Sequence, residues 1–266
     1  MRLVALLSAF LIWGMPLSAN EKVDRLARAM DLSQVMQILA SESQDQRRDL
    51  DETILDNAGG AFFQAQVEDI YDPVWMREQM TDAIEQGLTD TQLDQAILFF
   101  ESDLGQTIVS LENSARQAIS DEAIEEMARE TYEATTRDSE LFVLVDEYIQ
   151  ANDLIEQNVQ GALSADFSFF KGLDQDTLTD DGELLAELLS QKDSMTAETT
   201  IWLYSFLLLA YRPLDEVQMR ENIAFSRTDT GRALNEALFD GFDRMFDSIS
   251  YRLGATVAQV LRGSDL

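Results

Sequence analysis

The chain contains no cysteine and no histidine, and these two absences exclude most of the common catalytic centres. Ser-His-Asp triads, Cys-His dyads, zinc sites built from thiolates or imidazoles, haem with a histidine ligand, iron–sulfur clusters and disulfides all need residues that are missing. We therefore expect no cofactor and no metal. Without disulfides, the protein must be held together by an ordinary hydrophobic core, for which its length suffices.

Basic residues are also scarce, since 19 Lys+Arg stand against 50 Asp+Glu and give a formal net charge of -31. Nucleic-acid affinity depends on Lys and Arg side chains that displace counterions from phosphates. We therefore expect no nucleic-acid partner. An acidic surface of this kind stays hydrated in salt, which screens its self-repulsion.

The N-terminal segment is typical of a secretory signal peptide. Met1–Ala19 has one arginine, an apolar run over residues 3–15, a proline that breaks the helix, and a small residue before Asn20. That apolar run spans about 20 Å, which is shorter than the ~30 Å hydrocarbon core of a bilayer. We expect cleavage between Ala19 and Asn20 and a mature protein that is periplasmic or secreted. An uncleaved membrane anchor is the alternative.

Later apolar segments predict core helices rather than membrane spans. The most apolar one, Ile201–Tyr211, has 11 residues between Thr200 and Arg212, too few to cross a bilayer. We therefore expect no membrane span in the mature chain. Trp75 and Trp202 also fall on apolar helical faces, so we expect both rings in the core.

Apolar residues recur at intervals of three and four, and sustained alternation is missing, which predicts an all-α fold. Two pairs have the form of a capping box, Thr89 with Gln92 and Asp215 with Gln218. In a capping box, the side chain of each residue accepts a hydrogen bond from the backbone N–H of the other. A long stripe over residues 234–260 is interrupted by two glycines, at 241 and 254. One kinked helix and two shorter helices are both compatible with it.

Two stretches of sequence recur in the same order. Residues 23–32 and 145–154 are identical at five of ten positions at an offset of 122. Residues 88–111 and 214–237 are identical at six of 24 positions at an offset of 126. We interpret these matches as a duplication, with coincidental helical similarity as the alternative.

The duplication divides the chain into three parts: a signal peptide (1–19), a first helical unit (20–137) and a related, diverged second unit (138–266). A period of about 120 residues is too long for a solenoid of short repeats. It fits two tandem helical bundles, or two halves packed around a pseudo-twofold axis.

The best-preserved piece is FFESDLG at 99–105, which aligns with FSRTDTG at 225–231. The motif residues are Phe99, Ser102 and Gly105 in the first unit, and Phe225, Thr228 and Gly231 in the second. An aromatic residue ends one helix, a hydroxyl caps the next, and a glycine lacks a side chain where two helices converge. We call this arrangement the corner motif. An anion site at the exposed helix N-terminus is the alternative interpretation.

The run L-T-D-x-Q-L-x-x-A-I-x-F-F over 88–100, followed by S-x-x-G-Q over 102–106, resembles the bacterial family known as domain of unknown function 2059. Asp103 and Thr107 depart from the residues that are frequent in that family. The resemblance extends over residues 75–113, and the second unit keeps only the aromatic residue, the hydroxyl and the glycine. It implies an exported helical module and carries no catalytic residues.

Two further patterns have chemical meaning elsewhere. Ser168 and Lys171 match S-x-x-K, but the accompanying K-T-G and S-D-N motifs are missing, so we interpret the match as chance. Residues 173–183 contain five acidic residues, yet no register supplies the ligands and the glycine of a calcium loop. We interpret this stretch as a solvated loop, with weak adventitious Ca²⁺ binding at 174–183 as the alternative.

These observations favour an exported, non-enzymatic binding or interaction module with a protein or cell-envelope partner. The alternative is a hydrolase that acts on cell-envelope glycan with a pair of carboxylates and needs neither His nor Cys. With 50 acidic residues, no pair can be singled out. An acid within an apolar helical face would favour the enzyme. The acids of this sequence lie mainly on polar faces, in caps and in loops.

Overall fold

The computed structural model describes residues 19–173 and 180–264. These ranges contain thirteen α-helices and no strand, so the all-α prediction is confirmed. The helices of the first unit are α1 (Ala19–Ala29), α2 (Leu32–Thr53), α3 (Gly60–Ile70), α4 (Pro73–Gly87), α5 (Asp90–Phe100), α6 (Asp103–Ile119) and α7 (Glu122–Ala134). Those of the second unit are α8 (Glu140–Ala151), α9 (Leu154–Leu173), α10 (Asp181–Ser190), α11 (Lys192–Tyr211), α12 (Glu216–Ser226) and α13 (Asp229–Ser264).

Both predicted capping boxes are confirmed. At the start of α5, Thr89 accepts a hydrogen bond from the backbone N–H of Gln92, and the Gln92 side chain accepts one from the backbone N–H of Thr89. Asp215 and Gln218 make the same reciprocal pair at the start of α12. Local sequence therefore fixes where these two helices begin, because the cap satisfies backbone groups that the helix leaves free.

The first large hydrophobic core is built by α1–α5 together with α13. Leu26, Met76, Ile84 and Leu93 pack there against residues that come from the far end of the chain. The α13 residues in this core are Leu234, Ala237, Met245, Ile249, Leu253, Val257 and Val260. The last helix of the second sequence unit therefore completes the core of the first.

The second large core shows the converse arrangement. Val145 on α8, Leu207 on α11 and Ile223 on α12 pack against Ile108 and Ala115, both on α6. Thus α13 packs in the first core and α6 packs in the second core, so both cores contain helices from both parts of the chain. A small third core joins α9 and α10.

The helix α13 is continuous from Asp229 to Ser264, so the stripe predicted as one or two helices forms one. Gly254 lies where α13 crosses α9, and a Cβ atom built there would lie 2.0 Å from the carbonyl oxygen of Phe169. The crossing is reciprocal, because a Cβ on Gly172 of α9 would lie 2.1 Å from the carbonyl oxygen of Tyr251. The two backbones are in direct contact, and only glycine permits this approach.

The apolar segment Ile201–Tyr211 forms the second half of α11, and most of its large side chains are buried. Trp75 packs against the first core and Trp202 against the second, as expected, and both residues are partly buried. Over 19–173 and 180–264, no helix has both the length and the apolar character needed to cross a membrane.

The α9–α13 crossing predicts that Gly254→Ala destabilises the protein. Alanine adds up to about 1 kcal/mol of helix propensity, but its Cβ forces two backbones apart, and such overpacking costs roughly 1–3 kcal/mol. At about 2–4 °C per kcal/mol, the melting temperature falls by several degrees. Gly263→Ala is the matched control on the same helix, since nothing lies within 4 Å of its Cβ position. If Gly254→Ala and Gly263→Ala had the same melting temperature, the close backbone contact between α9 and α13 would be contradicted.

Candidate functional site

The residues of the corner motif form two corners with the same geometry. In the α5–α6 corner, Ser102 accepts a hydrogen bond from the N–H of Gly105 (3.1 Å) and donates one to the carbonyl of Phe99 (2.6 Å). In the α12–α13 corner, Thr228 accepts from Gly231 (2.9 Å) and donates to Phe225 (2.7 Å). The hydroxyl in each corner joins the end of one helix to the start of the next.

The structure brings the two corners together. The rings of Phe99 and Phe225 stack face to face, with centroids 3.9 Å apart and planes 3° apart. Phe100 contacts Phe225 edge-on, with centroids 5.8 Å apart. In addition, the Gln92 amide donates to the carbonyl oxygen of Asp229. The corners therefore form one of the contacts between the two halves of the chain, which favours a structural role.

A cleft opens where α2, α6, α7 and α11 meet, and it is the candidate ligand site. It has a volume of about 240 Å³. Its walls are formed by Glu42, Asp45, Arg116, Ile119, Ser120, Glu125 and Trp202. We call it the Trp202 cleft. The helix α6 ends at Ile119, and the chain then turns into α7, which forms one wall of the cleft. Its counterpart α13 is much longer and continues to Ser264.

Arg116 organises this cleft. Its Nε and Nη2 donate to the two carboxylate oxygens of Glu42 at 2.8 and 2.7 Å, a bidentate pair that joins α6 to α2. The guanidinium also lies over the indole of Trp202, with Cζ 5.2 Å from the ring centroid. Trp202 in turn stacks on Phe206 at 5.2 Å. Three helices are thus tied together by one cation between a carboxylate and an aromatic ring.

The cleft carries an excess of negative charge. Arg116 and Glu42 neutralise each other, and Asp45 is paired with Arg48 on its own helix. The carboxylate of Glu125 makes no hydrogen bond or ion pair with the described part of the chain. The unpaired carboxylate lines the same cleft as the indole of Trp202, so the arrangement can receive a ligand that combines a cationic group with an apolar part.

The corresponding position in the other half is closed. At the offset of 126, Arg116 aligns with Phe242, and Ser120 aligns with Phe246. The rings of Phe242 and Phe246 stack at 6.1 Å and, like Trp75, pack against the first core. The aligned positions therefore carry aromatic rings in one half, and an arginine and a serine that line the cleft in the other.

Beneath the wall of the cleft, one turn before Arg116, the acid Glu112 points into the second core. Its carboxylate accepts a hydrogen bond from the hydroxyl of Tyr211, a residue with no exposed surface. Glu112 as a residue is partly exposed, but its carboxyl group is buried, and this burial raises the pKa of Glu112 against the opposing effect of the Tyr211 hydrogen bond. Burial raises the pKa of the Tyr211 hydroxyl as well, so it stays protonated.

Two more polar groups complete this cluster. The ring of Tyr148 meets that of Tyr211 edge-on at 5.3 Å, and the buried amide nitrogen of Asn222 has no hydrogen-bond partner. The sequence analysis missed Glu112, although a signal was present. Glu112 lies four residues after Ile108 and three before Ala115, so it interrupts the apolar face of α6.

The other patterns identified in the sequence do not form sites in the described residues. Lys171 binds the carboxylate of Asp181 at 2.7 Å, which directs its amine towards α10. No group of three or more acidic side chains in residues 19–173 and 180–264 is arranged to hold a metal ion. Residues 174–179 of the acidic stretch lie outside the described residues. Asp180, at its end, caps α10.

Comparison with known proteins gives one match. Residues 75–133 match the model of the family described as an uncharacterized protein conserved in bacteria, domain of unknown function 2059. The matched segment runs from α4 to α7 and includes the first corner motif and two walls of the Trp202 cleft. No curated protein and no solved structure matches the chain.

The corner geometry predicts that Gly105→Ala lowers the melting temperature. A Cβ on Gly105 would lie 2.2 Å from the carbonyl oxygen of Phe99, so the corner must open at a cost of roughly 1–3 kcal/mol. Gly105→Val should be worse. A Cβ on Gly231 would lie 2.1 Å from the carbonyl oxygen of Phe225. Gly231→Ala should therefore lower the melting temperature as much as Gly105→Ala, although the divergence of the second motif from the first suggested a milder effect. Thermal melts measure all three, and an unchanged midpoint for Gly105→Ala would disprove the close contact.

Proposed function

We propose that this protein is exported and acts as a binding module, built from two copies of one six-helix unit that have exchanged their last helices. The helix order supports the duplication, because α1–α6 and α8–α13 follow one another with the same turns. Asp31 and Asp153, at the offset of 122, both adopt a left-handed backbone, with φ of 49° and 50°. This conformation is rare for residues other than glycine, so its recurrence at equivalent turns is informative.

A charge-reversed ion pair supports the same proposal. Arg25 on α1 binds Glu101 at the end of α5 through two hydrogen bonds of 2.6 Å. At the corresponding positions of the second unit, Glu147 on α8 binds Arg227 at 2.7 Å. The contact is kept while the two charges are exchanged, which is expected when equivalent positions diverge under one geometric constraint.

The observation that carries the binding function is the difference between the two equivalent grooves. Packed aromatic rings such as Phe242 and Phe246 stabilise the fold by burying apolar surface. The Trp202 cleft is open and charged at the aligned positions, so it lacks this stabilisation. We infer that this cleft receives the ligand, and that its charge favours a ligand with a cationic group.

A carboxylate hydrolase acting on glycan is the second candidate, and the three acids and the indole of the cleft support it. A general acid for such a reaction needs a raised pKa. Among the acids of this region, burial raises the pKa of Glu112, but this carboxyl group is bonded to Tyr211 beneath the cleft wall. The arrangement of the acids therefore favours binding over hydrolysis.

Ligand binding can be followed through the fluorescence of Trp202. In residues 20–266 carrying Trp75→Phe, Trp202 is the sole tryptophan. We expect spermidine, used as a cationic probe, to shift its emission in a saturable and salt-sensitive way, and Glu125→Gln to weaken this binding. Glu126→Gln, at an exposed neighbouring acid of α7, is the matched control.

Chitooligosaccharides and soluble cell-wall glycan serve as neutral probes in the same assay. If the Trp202 emission responds to glycan but not to spermidine, and new reducing ends accumulate, the protein is a hydrolase and the binding-module proposal is wrong. If no probe changes the emission, or if Glu126→Gln weakens binding as much as Glu125→Gln does, the Trp202 cleft is not the ligand site.

Export rests on the signal-peptide pattern of Met1–Ala19, and it generates a separate prediction. Ala19 and Asn20 are exposed at the start of α1, so a mature chain that begins at Asn20 keeps every buried residue of that helix. Cell fractionation followed by N-terminal sequencing should find this mature form outside the cytoplasmic membrane. Full-length protein in the cytosol would contradict export.

A further inference from the structure

The helix α6 contacts the second core through apolar side chains and through one buried acid, Glu112. At the offsets of 122 and 126, each member of the polar cluster aligns with an apolar residue. Glu112 aligns with Leu238, Tyr148 with Leu26 and Asn222 with Ala96. Leu26 and Ala96 are fully buried, and Leu238 packs on the first core. The contact of α6 with the second core therefore contains a buried carboxyl group at a position where α13 has a leucine.

The surroundings of Glu112 leave its carboxyl group poorly prepared for a negative charge. From α11 it receives one hydrogen bond, donated by Tyr211. From α8 it faces Tyr148, whose hydroxyl stays protonated because burial raises the pKa of Tyr148. On α12, the side chain of Asn222 lies near the hydroxyl of Tyr148. On α6 itself the nearest cation is Arg116, which is already bound by Glu42 of α2.

We propose that Glu112 is a pH-dependent latch that holds α6 against α11 when it is protonated and loosens this contact when it ionises. Arg116 follows Glu112 by one helical turn, and Trp202 lies on α11, so loosening also moves the two walls of the Trp202 cleft. The latch concerns the helix contact itself and does not require that the cleft bind a ligand.

The sign follows from linkage between protonation and folding. Burial makes the pKa of Glu112 higher in the folded protein than in the unfolded chain. A carboxyl group of this kind contributes its full stabilisation below its unfolded pKa, and this contribution is lost as the pH rises through the folded pKa. Tyr148 and Tyr211 do not titrate in this interval, because burial raises the pKa of both. The α6–α11 contact is therefore strongest in acid and weakens towards neutral pH.

Hydrogen exchange read by mass spectrometry tests the latch on residues 20–266. Samples are labelled at about pH 5 and about pH 8, with times adjusted for the intrinsic pH dependence of exchange. We expect peptides from α6 and α11 to lose protection several-fold at the higher pH. Peptides from α4, whose buried side chains are apolar, provide an internal reference that should not change. Glu112→Gln should abolish the difference, and the control Glu126→Gln should keep it.

Equal protection of α6 and α11 at both pH values overturns the latch, as does a pH dependence that survives in Glu112→Gln. Tyr211→Phe gives an independent readout that keeps the carboxyl group. Without the hydroxyl donor the ionised form loses its one hydrogen bond, so the pKa of Glu112 rises further and the loss of protection should move to higher pH. A loss of protection in Tyr211→Phe that moves to lower pH also contradicts the proposal.

Discussion

The packing of α13 into the first core and of α6 into the second core is the constraint on which the rest of this structure depends. The first core contains a row of α13 side chains from Leu234 to Val260, and the second core contains Ile108 and Ala115 of α6. Separated from each other, the two sequence units would each leave a large apolar groove open to water. Hydrophobic burial is roughly proportional to the apolar area removed from water, so the two units stabilise each other.

The corner motif makes this packing possible. In each corner the chain must turn sharply at the end of one helix so that the next helix leaves towards the other half. Gly105 and Gly231 allow the first turn of the departing helix to touch the backbone of the preceding one. Phe99 and Phe225 then stack where the two departing helices separate. The residues that are best preserved between the units are thus those that direct this packing.

The polar and charged groups around Glu112 and Arg116 lie beside α6, whereas the aligned positions beside α13 are apolar. Glu112, Arg116 and Trp202 align with Leu238, Phe242 and Trp75 or its neighbour, and the latter residues pack against the first core. A fold with two large cores can keep one of them apolar for stability while the other acquires polar groups. This division agrees with the fact that the family match, over residues 75–133, includes α6 and α7.

The sequence by itself determined the fold class, the helix starts and the corner residues, because these depend on local periodicity and on caps within four residues. Thr89 with Gln92 and Asp215 with Gln218 needed no partner from elsewhere in the chain. The role of Gly254 was decided by tertiary structure. This glycine lowers helix propensity, but it is required where α13 crosses the backbone of Phe169, which lies 85 residues away in sequence.

Tertiary structure alone also decided which core each helix enters, and hence that Arg116 meets Glu42 and Trp202. An apolar stripe predicts that one face of a helix is buried. It does not predict which surface covers that face, because the hydrophobic effect is non-directional. The buried carboxyl group of Glu112 illustrates the same limit. Its position on an apolar face was visible in the sequence, whereas its partner Tyr211, 99 residues away, was fixed only by the packing of α6 on α11.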